Sequence, residues 1–90
     1  MQIIEIIWTN QRIEHIARHK VSVEEVEEIL FYDPFVLKNK QNRYIALGQA
    51  ISGRYLFVVI AKRDKGKVEV ITARDMEAKE RRFYKKVKGG

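Results

Sequence analysis

Apolar positions along the first third of the chain recur mostly with a helical period. A short apolar run over residues 3–8 predicts an opening strand. Two amphipathic helices should follow, because apolar side chains then recur at intervals of three and four. Their stripes consist of Ile13, Ile16 and Ala17 in the first helix, and of Val23, Val26, Ile29 and Leu30 in the second. Thr9 or Asn10 can cap the first helix, and Ser22 with Glu25 forms a capping-box pattern for the second.

The pattern then changes to that of strands. Pro34 ends the second helix, and a brief edge strand over 35–37, a basic loop over 38–42 and a strand over 43–48 follow. The apolar run over 54–61 is typical of a central strand buried on both faces. After a turn at 63–66, residues 68–73 alternate and predict the antiparallel partner of that central strand.

A last helix is predicted at the C-terminal end. Asp75 is the expected cap, Lys85 and Lys86 lie in the last turn, and Met76, Phe83 and Val87 make the apolar stripe. Glu80 interrupts that stripe, so its carboxylate needs a cationic partner such as a nearby arginine. The whole pattern predicts one α+β domain over residues 1–90, with a β-α-α unit, an antiparallel meander of about four strands and a C-terminal helix.

Composition narrows the class of protein. With 90 residues and 46% hydrophobic residues, the chain suits one modest core. It has no cysteine, which excludes disulfides and thiolate metal sites and favours an intracellular, cytoplasmic setting. No apolar run approaches the ~20 residues of a membrane span, and the N-terminus lacks a signal-peptide pattern, so no membrane partner is expected.

Charge is distributed unevenly. Up to Leu37 there are 3 basic and 7 acidic residues, a balance of −4. From Lys38 onward there are 15 basic and 5 acidic residues, a balance of +10. A basic C-terminal half favours a polyanionic partner, RNA or DNA, over a small acid.

The predicted hairpin brings two arginines together. Counting from a turn centred near 64–65, Arg54 should lie within about a residue of opposite Arg74. Like charges across a strand pair are unfavourable. Each arginine therefore either points to water or pairs with an acid such as Glu80 or Asp75, or both arginines form a phosphate site near Glu80 on one concave surface.

Three polar residues share one side of the first helix. Arg12, His15 and His19 follow at spacings of three and four, beside the apolar stripe. Two histidines at this spacing can bind a metal, but no carboxylate joins them, which favours a polar helix face without metal.

Several segments together resemble the BrnT family of bacterial and archaeal toxins. They are Trp8-Thr9, the helix from Ile13 to His19, Val21-Ser22 with the glutamates of 24–28, Gly53 to Leu56, Ile71 to Arg74, and Glu80-Arg81-Arg82 with Tyr84. The resemblance implies a RelE-like fold and a type II toxin that cleaves RNA without metal or cofactor and inhibits translation. It also implies a DNA-binding antitoxin, BrnA, encoded nearby. Lys20 departs from the family, which usually has glycine there.

The resemblance and the chemistry of the side chains together give a set of candidate residues. Cleavage by the ribose 2′-hydroxyl needs a base, an acid and cations for the phosphorane. The expected catalytic residues are Arg54, Arg74, His19, Glu80 and Tyr84; the expected RNA-binding residues are Trp8, Arg12, His15, Arg81 and Arg82. The alternative is a non-catalytic basic module that binds nucleic acid or a partner protein. A homodimer and a toxin–antitoxin hetero-oligomer both stay open.

Overall fold

The computed structural model describes residues 2–89, which form three helices and one five-stranded sheet. In chain order the elements are β1 (Glu5–Ile7), α1 (Asn10–Arg18), α2 (Val23–Phe31), β2 (Phe35–Lys40), β3 (Arg43–Gln49), β4 (Tyr55–Asp64), β5 (Lys67–Asp75) and α3 (Ala78–Val87). The predicted α+β class is confirmed.

The sheet is mixed, with strand order β1-β5-β4-β3-β2. Strands β2 to β5 form the predicted antiparallel meander, and the pairing of β4 with β5 is confirmed. The short strand β1 adds to the far edge, parallel to β5, with Ile6 opposite Val68. Because β1 ends at Ile7, it covers only the first residues of β5.

The two faces of the sheet are covered very differently. Leu56, Val58 and Ile60 point to the inner face, where they pack with Ile16 of α1 and Ile29 of α2 in the main core. The alternate residues of β4 point to the outer face, over which α3 lies. They are only half-buried, so the prediction that the central strand is buried on both faces is wrong for the outer one.

The C-terminal segment differs from its prediction. Asp75 is not the helix cap but the last residue of β5, and Glu77 takes the N-cap position of α3. Met76 is buried before the helix begins, whereas Phe83 and Val87 stay exposed. Helix α3 contains no buried residue among those described, so it lies on the sheet without joining the core.

The predicted basic loop over 38–42 is also wrong, because β2 runs on to Lys40 and pairs with Arg43. Only two residues remain for the turn, and Asn42 adopts φ 59° there. Asparagine tolerates this left-handed conformation better than most residues, which allows so tight a connection.

The link between α1 and α2 is a tight turn centred on Lys20. Val21 N donates to Ile16 O and Lys20 N donates to Ala17 O, the hydrogen-bond pair of a Schellman motif. Lys20 has φ 60°, a conformation that glycine adopts at lower cost. The turn thus keeps the shape that a glycine would give it, although a lysine occupies the position. The capping box of Ser22 and Glu25 then starts α2 as predicted.

Of the helices in the described part of the chain, none combines the length and the apolar character needed to cross a membrane.

Candidate functional site

Arg54 lies just before β4 and joins the sheet to the α1–α2 turn. Its Nε and Nη2 bind the carboxylate of Asp75 at 2.6 and 3.2 Å. Its Nη2 also donates to His19 O at 3.2 Å, and its Nη1 donates to Lys20 O and, at 3.2 Å, to Glu25 Oε1. Every nitrogen of the guanidinium therefore has a protein acceptor.

These contacts place a cation at the carbonyl end of α1 and beside the first turn of α2. Both positions suit its charge, because the carbonyl end of a helix is partly negative and Glu25 lies in the first turn of α2. The hydrogen bonds to Asp75 raise the pKa of Arg54 and lower the pKa of Asp75. We call this arrangement the Arg54 network. The Arg54 network gives Arg54 a structural role, which agrees with the expectation that each arginine pairs with an acid.

Arg74 lies on β5 and points to the outer face. Its Nη1 and Nη2 donate to the two carboxylate oxygens of Glu80, each at 2.9 Å, and its guanidinium stacks 3.9 Å from the ring centroid of Phe57. The hydrogen bonds from Arg74 lower the pKa of Glu80, and Glu80 raises the pKa of Arg74. The predicted proximity of Glu80 to an arginine is confirmed, and the pair is fully ionised at neutral pH.

The expectation that the two arginines share one surface is wrong. Arg74 pairs with Phe57 across the hairpin, not with Arg54, because the two turn residues are Lys65 and Gly66 and the strands pair from Asp64 and Lys67 outward. Arg54 contacts the helices of the inner face, whereas Arg74 contacts α3 on the outer face. The two irregularities offset each other, since one adds a residue to β5 and the other adds a residue to β4. The turn lies one residue later than predicted, and this moves each partner by two residues.

His15 reaches the same stretch of β5 from α1. Its Nε2 lies 3.0 Å from Thr72 Oγ1, and Thr72 points to the outer face two residues before Arg74. Successive residues on one strand face are about 7 Å apart. His19 packs edge-on against His15, with ring centroids 5.6 Å apart, and is exposed. The imidazole of His15 and the Arg74–Glu80 pair thus flank one short stretch of the outer face.

Tyr84 and Arg81 lie on α3 around Tyr55 of β4. The rings of Tyr55 and Tyr84 meet edge-to-face at 6.1 Å, and Arg81 and Lys85 lie 6.0 and 5.2 Å from the Tyr55 centroid. Because Tyr55 and Phe57 are two residues apart, they share the outer face with Arg74.

The other predicted RNA-binding residues have separate positions. Trp8 packs against the core, and its Nε1 donates to Glu27 Oε2 at 3.3 Å. Arg12 donates to Glu69 at 3.3 Å, and Glu69 also accepts from Arg63, so the pKa of Glu69 is lowered. Arg82 is exposed on α3.

Tyr55, Phe57, Thr72 and Lys85 belong to this surface and were missed from the sequence. The apolar run over β4 predicts burial on both faces, although Tyr55 and Phe57 already fall on one side of a strand. Within residues 2–89, no group of three or more His, Cys, Asp or Glu side chains is placed to hold a metal ion.

Comparison with known proteins gives the family. Residues 8–80 match the model of the ribonuclease toxin BrnT of type II toxin–antitoxin systems. The crystal structure of the Brucella abortus ribonuclease toxin BrnT is similar to this fold, with 22% sequence identity and a TM-score of 0.67, covering 81% of this chain and 96% of that one. No curated protein sequence matched. The family match spans both arginines, both histidines and Glu80, and this chain belongs to the BrnT family of ribonuclease toxins of type II toxin–antitoxin systems.

Proposed function

We propose that this protein is a metal-independent endoribonuclease whose chemistry takes place on the outer face around Arg74. The observation that carries the proposal is the pair of Arg74 and Glu80, held on Phe57, with His15 on the same strand face. A fixed guanidinium suits the growing charge of a phosphorane, because it is always ionised and can bind two phosphate oxygens.

The proposed reaction is attack of a ribose 2′-oxygen on the adjacent phosphorus. The 2′-oxygen loses its proton and forms the new P–O bond, while the bond to the 5′-oxygen breaks and that oxygen gains a proton. The products are a 2′,3′-cyclic phosphate and a 5′-hydroxyl. Glu80 is the proposed base, because its carboxylate lies beside the guanidinium of Arg74, where the phosphate would bind.

His15 is the proposed acid. It approaches Arg74 from the edge of the sheet near α1, whereas Glu80 approaches from α3, so the two groups flank the guanidinium. In-line displacement needs the base and the acid on opposite sides of the phosphorus, which this arrangement supports. His19 packs against His15 and is the second imidazole available for the proton.

The remaining predicted residues take supporting roles in this proposal. Tyr84, Arg81 and Arg82 lie on or beside the aromatic cluster of α3 and offer contacts for bases and phosphates. Arg12 lies at the edge of the sheet next to His15. Arg54 and Trp8 are assigned to holding the helices in place, because Arg54 links Asp75 to the α1–α2 turn and Trp8 packs against the core.

The proposal extends to the biological setting that the family description suggests. Cleavage of RNA would inhibit translation in the cytoplasm, in the manner of RelE-like toxins, and a DNA-binding antitoxin of the BrnA kind would neutralise the protein. The excess of basic over acidic residues in the C-terminal half supports RNA as the polyanion bound.

One observation favours the alternative, a basic module that holds RNA without cleaving it. Both Nη atoms of Arg74 already bind Glu80, so a phosphate must share or displace that carboxylate. A module that only binds RNA needs no free carboxylate as a base, so an intact Arg74–Glu80 ion pair is compatible with that function.

Cleavage of RNA in EDTA separates the two functions. We expect the wild type to cut, and Arg74→Ala to lose about 10²–10³ in rate, by analogy with donors that stabilise an oxyanion. Arg74→Lys should recover little, since an ammonium lacks the planar fork. Arg63→Ala is the matched control, because Arg63 is also paired with a glutamate on the sheet but contacts none of Arg74, Glu80 and His15.

Wild-type protein that binds RNA, cuts nothing in EDTA and does not slow growth when expressed alone would establish the binding module. Cleavage that Arg74→Ala leaves unchanged would keep the activity and move the site elsewhere. Melting curves of all variants are recorded together with the rates, since a fall in rate that follows the unfolded fraction reports stability only.

A further inference from the structure

The outer face carries an apolar groove that adjoins the proposed catalytic residues and shares only Phe57 and Glu80 with them. Its volume is about 280 Å³, and it lies between the sheet and α3, lined by Leu37, Ile45, Leu47, Phe57, Glu80 and Phe83. Its mouth is open, with Leu37 36% and Phe83 42% exposed. Pockets that enclose small molecules are typically about 300–1,000 Å³, so this one suits a single bulky side chain.

The groove exists because α3 covers the outer face only in part. Phe83 packs edge-to-face on Phe35, with centroids 5.7 Å apart, yet neither Phe83 nor Val87 one turn later is buried. Exposed apolar side chains beside an open groove are the usual mark of an interaction surface.

Charge around the groove restricts the kind of partner. Five cations of α3, namely Lys79, Arg81, Arg82, Lys85 and Lys86, take part in none of the ion pairs found between residues 2 and 89. Lys79 lines the groove itself. The one acid in the groove is Glu80, which Arg74 already neutralises. A partner with acidic residues around an apolar one is therefore complementary.

RNA is also acidic, but the lining of the groove disfavours it as the occupant. A base is recognised through hydrogen bonds along its edges, and five of the seven lining residues are purely apolar. An aliphatic or aromatic protein side chain loses nothing in such a groove. The cations attract both classes of partner, and the apolar lining selects a protein.

We propose that the outer groove is the docking site of an acidic segment of the antitoxin, which inserts one bulky apolar side chain between Leu37 and Phe83. Because Phe57 and Glu80 are at once groove walls and the two contacts of Arg74, the inserted segment covers Arg74 and excludes RNA. This second step rests on the proposed function, whereas the docking itself does not.

The test uses the full chain and the antitoxin encoded beside it, co-expressed and purified. Leu37→Asp and Phe83→Asp place a negative charge in the groove and should weaken the complex by roughly tenfold or more. Ile51→Asp is the matched control: Ile51 is 83% exposed, in the turn before β4, and does not line the groove. It should bind the antitoxin like the wild type.

Two further measurements make the result decisive. Leu37→Asp should still cleave RNA and slow growth, but co-expressed antitoxin should no longer rescue the cells. In the wild type, amide and methyl NMR shifts of Leu37, Leu47 and Phe83 should move when antitoxin is added, which needs no variant to fold.

Three outcomes have distinct meanings. Unchanged antitoxin affinity in both groove variants, with unshifted groove signals, overturns the docking site. Loss of RNA cleavage by Leu37→Asp with unchanged antitoxin affinity also overturns it, and makes RNA the occupant. Groove-dependent antitoxin binding by a wild type that cuts no RNA supports the docking site and removes only the proposed function.

Discussion

Replacing Arg54 with alanine should destabilise the protein more than removing any exposed arginine. The change deletes a guanidinium whose three nitrogens contact Asp75, Glu25, and the carbonyls of His19 and Lys20. Two carboxylates and the carbonyl end of α1 would then lose their cation together. The α1–α2 turn would lose its link to the sheet.

The magnitude follows from the burial of each partner. Asp75 is 63% exposed, so its pair is worth well under 1 kcal/mol despite the short distance. Glu25 is only 20% exposed. The hydrogen bonds from Arg54 to Glu25, His19 O and Lys20 O contribute about 1 kcal/mol each, which is below the usual range for charged groups because the network touches solvent. The sum is about 3 kcal/mol, or about 12–24 °C in melting temperature for a domain of this size.

Urea and thermal unfolding of Arg54→Ala measure this loss, with Arg63→Ala as the matched control. Arg63 pairs with Glu69 on the surface and is 47% exposed, so its removal should cost less than 1 kcal/mol. Arg54→Lys should recover only part of the stability, since one ammonium cannot reach all four acceptors. If Arg54→Ala melts within about 3 °C of the wild type, the network does not hold the turn and the structural assignment of Arg54 is wrong.

Three further results are expected. Lys20→Gly should raise the free energy of unfolding by about 0.5–1 kcal/mol, because glycine relieves the left-handed φ of 60°; no change in urea midpoint would show that the turn is unstrained. Gly48→Ala should lower it by about 1–3 kcal/mol, because the added Cβ would lie 2.6 Å from Ile29 Cγ2, and a wild-type melting curve would contradict that clash. Arg74 lowers the pKa of Glu80, so the contribution of this ion pair to the free energy of unfolding is present above the ordinary value of 4.5 and is lost as pH falls through the lowered value. Glu80→Gln should therefore flatten the dependence of stability on pH in that acid range. An unchanged slope would exclude the ion pair as the source of that dependence.

The sequence was sufficient to predict the helices and strands that build the core on the inner face of the sheet. Periodicity identified α1, α2 and the strands, because Ile16, Val26 and Ile29 bury one face and repeat at the helical interval. The capping box of Ser22 was also predictable, since it depends on residues three apart in the chain.

The candidate site was harder to predict, because it depends on register. Arg74 faces Phe57 because the turn is centred on Lys65 and Gly66, one residue later than predicted from the polar run over 63–66. The alternative of an ion pair for each arginine was predictable from chemistry, and Asp75 and Glu80 were the right acids. Only the structure shows on which face of the sheet each ion pair lies. Ion pairs constrain distance, not direction, whereas a shift of the turn by one residue changes the cross-strand partner of every residue in the hairpin.

The parallel pairing of β1 has a consequence for folding during synthesis. Ile6 pairs with Val68, so β1 must wait for β5, the last strand of the described sheet, before its hydrogen bonds can form. Chains leave the ribosome at about 5–20 residues per second, whereas a hairpin closes in about 1–10 μs. The meander of β2 to β4 can therefore form as it emerges, while the edge of the sheet and Arg74 are completed together at the end. A nascent chain thus lacks both Arg74 and the paired edge strand of the sheet until β5 has been translated.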